Sequence, residues 1–182
     1  MLLEIDKNFF AEDTIIVAKR LLGKIIKLGK VSGRIVETEA YKDDPASHAY
    51  NKTLRSKSMY ETFGHIYVYF IYGNHWCLNF TTEKDKPGAV LIRALEPLTG
   101  IEIMKRRRKI KDLRQLTNGP GKLTQAFGIN GEFNGEPIGK RIKIFDDLKR
   151  FEIVQTTRVG ISAAKDLPWR FYIRGNLWVS KK

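Results

Sequence analysis

The chain has 182 residues, 42% of them hydrophobic, which is enough for one domain with its own core and short for two. A single cysteine, Cys77, excludes a disulfide framework and a cysteine-rich zinc site, and no apolar run approaches the roughly 20 residues of a membrane span. Lysine and arginine total 33 against 20 acids, and a net charge of +13 points to a polyanionic partner, nucleic acid first, although some proteins are lysine-rich for reasons unrelated to binding.

The first ten residues, MLLEIDKNFF, carry an acid early and no small-residue cleavage site, unlike a signal peptide. AEDTIIVAKRLLG reads as a helix. Asp13 or Thr14 can cap it, Ile15, Ile16, Ala18, Leu21 and Leu22 recur at helical spacing, and Gly23 ends it. KIIKLGK and GRIVETEAY read as two strands joined by a glycine-containing turn. Residues 42–63 are polar and basic and read as one long loop, a length that is usually functional or disordered. HIYVYFIYGNHWCLNF then predicts a β-hairpin turning near Gly73-Asn74, and GAVLIRALEP another strand that Pro97 helps to end. GIEIMKRRRKIKDLRQL predicts a basic helix, and NGPGKLTQAFGI a turn with a short helix from about Lys122. KRIKIFD and RFYIRGNLWVS predict late strands, with TTRVGIS between them as a strand end or loop. Strands and helices mix without βαβ alternation and without a linker. The expectation is therefore a single α+β domain over residues 1–182.

Candidate chemistry follows from strand parity. In RIVETEAY, Ile35, Glu37, Glu39 and Tyr41 share one face. Two carboxylates there are either solvated strand residues, the usual case, or include a base set in a cleft. In the hairpin, Tyr67, Tyr69 and Ile71 share a face, and Val68, Phe70 and Tyr72 the other. Tyr67 reads as a core cross-strand aromatic, Tyr69 as a stacking wall, and Tyr72 near the tip as a wedge for stacked bases. A two-residue turn would pair Tyr72 with His75 and put Asn79 on the Tyr72 face. A three-residue loop from Gly73 to His75 would pair Tyr72 with Trp76 and set Tyr69 opposite Asn79. Seven cations lie between Lys105 and Arg114, and some of them, with Arg106 and Arg107 as candidates, would contact DNA phosphate. NGPGK could present backbone N–H groups and Lys122 to a phosphate, though it lacks the Walker spacing. Three histidines without a second cysteine argue against a metal site.

RIVETEAY, His48, YVYFIYGNHWCLN, GAVLIRALEP, NGPGKL, RVGIS and RFYIRGNLWVS occur in this order. In these motifs the chain resembles the alkyladenine (3-methyladenine) DNA glycosylases of the mammalian type, from about Phe10 to Ser180. The resemblance implies a single-domain fold around a curved antiparallel sheet, with surrounding helices and a protruding hairpin. It implies a monofunctional base-excision-repair enzyme, without metal or cofactor, acting as a monomer on double-stranded DNA in the cytoplasm, at the nucleoid. Such an enzyme flips alkylated or deaminated purines (3-methyladenine, 7-methylguanine, hypoxanthine, ethenoadenine) out of the duplex and hydrolyses the N-glycosidic bond. By the same resemblance Glu39 is the general base, and Arg93 and the Val159 carbonyl hold its water. Tyr41, His48 and Tyr69 wall the base pocket, Tyr72 fills the gap left in the stack, and Asn79 screens purines by their exocyclic groups. It also favours the register that sets Asn79 across from Tyr69. Arg55-Ser56 stands where the family carries an Arg-Asn pair. Two rivals remain at this point: a non-catalytic nucleic-acid binding module, and a bifunctional lyase using a lysine Schiff base.

Overall fold

The computed structural model describes residues 2–181. Nine strands form one antiparallel sheet: β1 (Leu3–Glu4), β2 (Ile25–Leu28), β3 (Val31–Tyr41), β4 (Ile66–Ile71), β5 (His75–Thr82), β6 (Gly88–Thr99), β7 (Ile142–Asp146), β8 (Ile153–Thr156) and β9 (Arg170–Ile173). The order is β1-β7-β2-β3-β6-β5-β4, with β9 pairing β3 and β8, and the sheet does not close into a barrel. Four α-helices accompany it: α1 (Thr14–Leu21), α2 (Lys57–Glu61), α3 (Ile101–Arg108) and α4 (Pro120–Phe127). The architecture is the expected α+β class.

α1 begins where Asp13 Oδ1 accepts the N–H groups of Ile15 (2.8 Å) and Ile16 (3.3 Å), two donors that have no partner inside the helix. It buries Val17, Ala18 and Leu21 against β3 and β6. The core gathers Phe10, Ile26, Val36, Phe80, Ile92, Phe127 and Phe171 around the middle of the sheet. β3 is its central strand. β6 runs along one side, and β2 and then β9 along the other. The first ten of its eleven residues are buried. A register shift between Ile35 and Glu37 bends the strand just before its two carboxylates.

Several local expectations are corrected. The hairpin pairs Ile71 with His75, Tyr69 with Cys77 and Tyr67 with Asn79, around a loop of Tyr72, Gly73 and Asn74. Neither anticipated register occurs. Both kept Tyr72 in a strand, whereas it takes the left-handed conformation (φ +54°) beside Gly73 (φ +69°). Asn79 therefore faces Tyr67 directly and Tyr69 diagonally. β6 continues through Pro97, which pairs with Gly33. The β5 pairing ends at Leu91, so a residue without an N–H is tolerated beyond it. α3 stops at Arg108, because Met104 is its only buried residue and like charges crowd its last turn. Residues 42–63 are not one irregular loop: they hold a short 3-10 helix at His48–Tyr50 as well as α2. α4 starts at Pro120 rather than Lys122. RFYIRGNLWVS is a strand only to Ile173, while TTRVGIS begins, as expected, on the last residue of a strand, β8.

Candidate active site

Glu39 lies near the end of β3 and is fully buried. Its Oε1 accepts the backbone N–H of Val159 at 2.7 Å. Its Oε2 accepts the Tyr41 hydroxyl at 2.8 Å and the Arg93 guanidinium, from β6, at 3.3 Å. A solvated strand carboxylate is thereby ruled out. Burial pushes the carboxyl above its ordinary range, and the charge of Glu37 adds to this. Arg93, the Val159 amide and Tyr41 oppose the shift without cancelling it. The result is a carboxylate that is positioned by donors yet more basic than usual. Val159 meets Glu39 through its amide.

Behind this pair lies a second one. Arg93 Nε is 3.4 Å from Glu37 Oε1, within ion-pair distance but outside hydrogen-bond geometry. Arg170, from β9, brings its Nε to 3.2 Å of the same oxygen. The other oxygen of Glu37 accepts the Ser180 N–H at 2.6 Å, and Arg93 reaches Ser180 Oγ at 3.5 Å. Two buried carboxylates and two buried guanidiniums thus balance. Taking any one away would leave an uncompensated interior charge.

A cavity of about 540 Å³ adjoins the cluster. Its walls include Tyr41, His48, Tyr69, Tyr72, Arg93 and Val159, so most of the residues singled out in the sequence meet around one space. His48 packs edge-on to Tyr69, with ring centres 4.8 Å apart, and its Nδ1 bonds the Tyr67 hydroxyl at 2.8 Å. Burial, then the nearby Arg55, lowers the His48 pKa, so the ring is neutral near pH 7. Burial raises the pKa values of Tyr41 and Tyr69, and it pushes Tyr67 up to about 12 and Cys77 up to about 11. The aromatic wall therefore carries no charge of its own. Asn79 is buried in a smaller adjoining pocket of about 30 Å³ shared by Tyr41, His48, Tyr67 and Tyr69, and its Nδ2 donates to the Tyr67 carbonyl at 3.1 Å. Tyr72 stands at the hairpin tip, 80% exposed.

The basic candidates divide. Arg107 donates to the carbonyls of Ala126 (3.1 Å) and Phe127 (2.7 Å), closing the C-terminus of α4. Arg106 is exposed. Lys122 donates to Gln115 (2.6 Å) and Asn118 (2.8 Å), next to Pro120 and Gly121 of the cavity wall. Gly121 lets α4 approach the hairpin closely, since a Cβ there would come within 2.8 Å of the His75 ring. Sequence reasoning missed Glu37 as a ligand of Arg93, and it missed Arg170 and Ser180. It also missed Arg158, whose guanidinium makes a bidentate bond to Asp44 (2.6 and 3.0 Å) and lies 4.8 Å from the Tyr41 ring centre. Arg158 thus ties the RVGIS loop to the loop after β3. Alternating polarity in RIVETEAY marked Glu37, but no local pattern marks its distant partners. Among the described residues no group of three or more His, Cys, Asp or Glu side chains is arranged to hold a metal ion. No described helix is long and apolar enough to cross a membrane.

Residues 8–177 match the family model described as methylpurine-DNA glycosylase. A protein of Agrobacterium fabrum is 49% identical over 182 residues, covering 98% of this chain and 93% of its own length. One from Clostridium novyi is 46% identical (98% of each chain), and one from Carboxydothermus hydrogenoformans 47% identical (97% of this chain, 98% of its own). All three carry the name "Putative 3-methyladenine DNA glycosylase".

Proposed function

The chain belongs to the methylpurine-DNA glycosylase family, and from that premise we propose the lesions it removes and the way it removes them. It is a DNA N-glycosylase of base-excision repair, which sets aside the reading as a non-catalytic binding module. Its proposed substrates are 3-methyladenine, 7-methylguanine, hypoxanthine and ethenoadenine in duplex DNA. It acts as a monomer that rotates the damaged nucleotide out of the stack, because C1′ and the base edge are inaccessible within it.

One observation carries this reading: the buried Glu39 carboxylate, held by Arg93, Tyr41 and the Val159 amide beside a cavity walled by neutral aromatic side chains. The flipped purine stacks among Tyr41, His48 and Tyr69. Glu39 takes a proton from water as the water oxygen bonds to C1′, and the C1′–N bond breaks with its electron pair going to the base. A cationic alkylated purine leaves as a neutral molecule, whereas a neutral lesion must gain a proton as it departs. The raised pKa of Glu39 makes it a stronger base, and its negative charge stabilises the oxocarbenium-like sugar. Tyr72 occupies the hole in the stack, and the Asn79 amide rejects the 2-amino group of normal guanine.

The test is single-turnover excision from duplex oligonucleotides carrying each lesion. Glu39→Gln should keep lesion-DNA affinity and lose excision by on the order of 10²-fold or more, the size of a lost general base. Unchanged excision would remove Glu39 from the mechanism.

A further inference from the structure

We propose that Arg55 is a selectivity residue of this pocket, one that biases excision toward uncharged lesions. Its guanidinium is already seated over Tyr69 on the cavity wall, in the place that suits a cation. The inference rests on the base-stacking role proposed above for Tyr69.

Arg55 comes from the loop before α2, and its guanidinium carbon lies 5.0 Å from the Tyr69 ring centre. Its terminal nitrogen donates to the Phe70 carbonyl at 2.7 Å, which pins it to the adjoining strand. It lines the same cavity as Tyr41, His48 and Tyr69. Its backbone is anchored too. The neighbouring Ser56 is fully buried, accepts the Thr53 N–H and donates to the Asn51 carbonyl, each at 2.9 Å. Yet no described carboxylate offsets the charge of this solvent-exposed side chain. The carboxylate of its own loop and helix, Glu61, is held by Lys52 (3.1 Å) and Lys57 (3.7 Å), and no ion pair among the described residues engages Arg55.

The physical consequence is directional. An electron-rich ring favours a cation over its face. Here the protein supplies that cation itself. A charged purine entering the pocket must lie close to a fixed like charge or displace it, and both lower its occupancy. A neutral purine meets no such repulsion and can stack on the guanidinium plane. The same field acts on His48, whose lowered pKa is due in part to Arg55.

The experiment compares single-turnover excision of 7-methylguanine, a cation, with excision of ethenoadenine, which is neutral. The proteins are the wild type, Arg55→Gln and Arg55→Lys. Arg55→Gln should raise the charged-to-neutral rate ratio by about two- to fourfold, the effect of two unit charges roughly 5–8 Å apart at the dielectric constant of water. Arg55→Lys should leave the ratio near wild type. An unchanged ratio in Arg55→Gln, or an equal rise in Arg55→Lys, would overturn the proposal. Both rates come from one preparation, so partial misfolding cancels. If the wild type excises only one class, competitive binding of the two lesion duplexes to Glu39→Gln, with and without Arg55→Gln, supplies the ratio. A wild type that excises neither would refute the proposed function instead.

Discussion

Glu39 on β3 lies behind the Tyr41, Arg93 and Val159 wall of the cavity that Tyr72 in the β4–β5 loop also lines, and the two are held in opposite ways. Glu39 is fully buried and bonded to groups from β3, β6 and the loop after β8. Tyr72 is 80% exposed and takes a left-handed backbone that a bulky residue rarely adopts. As the proposed general base, the carboxylate end needs a fixed geometry and a low dielectric before substrate arrives, and its charges are matched in advance. The tyrosine end needs free surface to offer. Its strain, of order 1–3 kcal/mol, persists because the rest of the hairpin is firmly paired. On the proposed mechanism, the contrast separates a part built for chemistry from a part built for recognition.

The sharpest way to break this contrast is Arg93→Met. If the buried charges stabilise one another, losing this guanidinium leaves Glu37 and Glu39 with Arg170 as their one buried cation, and stability should fall by about 3–5 kcal/mol. Denaturant unfolding measures it, and a near-neutral change would mean that the carboxylates share a proton. A smaller effect should appear in the pH profile. Only the ionised carboxylate can accept a proton, and the Glu39 pKa lies above the ordinary 4.5. Excision of 7-methylguanine should therefore decline on the acid side, by about tenfold per pH unit below a midpoint above 4.5. A midpoint at or below that value would contradict the burial argument. The smallest expected change is in stability at the tip. Tyr72→Gly removes an exposed ring and relieves the left-handed backbone, against a gain in unfolded-chain entropy. Stability should stay level or rise by up to about 1 kcal/mol while lesion-DNA affinity drops. A clear loss of stability would show that the tyrosine serves the fold.

Parity alone placed Glu37 and Glu39 on one face of a strand, and both reach Arg93 in the structure. It worked because side chains in a strand alternate whatever lies around them. The turn was harder to read. Glycine and asparagine are the residues expected at positive φ, so Tyr72 was placed in the strand and the register slipped. Helix α3 was overdrawn for a related reason: its sequence is helical in propensity, but its length is decided by what it can bury. The roles of Arg158, Arg170 and Ser180 were not legible, because each partner lies more than a hundred residues from the acid it meets.

That separation shapes how the protein comes into being. Ser180 donates to Glu37 across 143 positions, and Val159 to Glu39 across 120. At typical synthesis rates a growing chain carries Glu37 for roughly 7–30 s before this last partner emerges. No shorter, N-terminal piece of the chain can hold the finished cluster, however well its strands pair. With Glu39 as the proposed base, the capacity to cut bases from DNA arrives late in folding, when the final segment docks behind the central strand. A nascent or truncated chain can be basic enough to bind DNA and still be harmless to it.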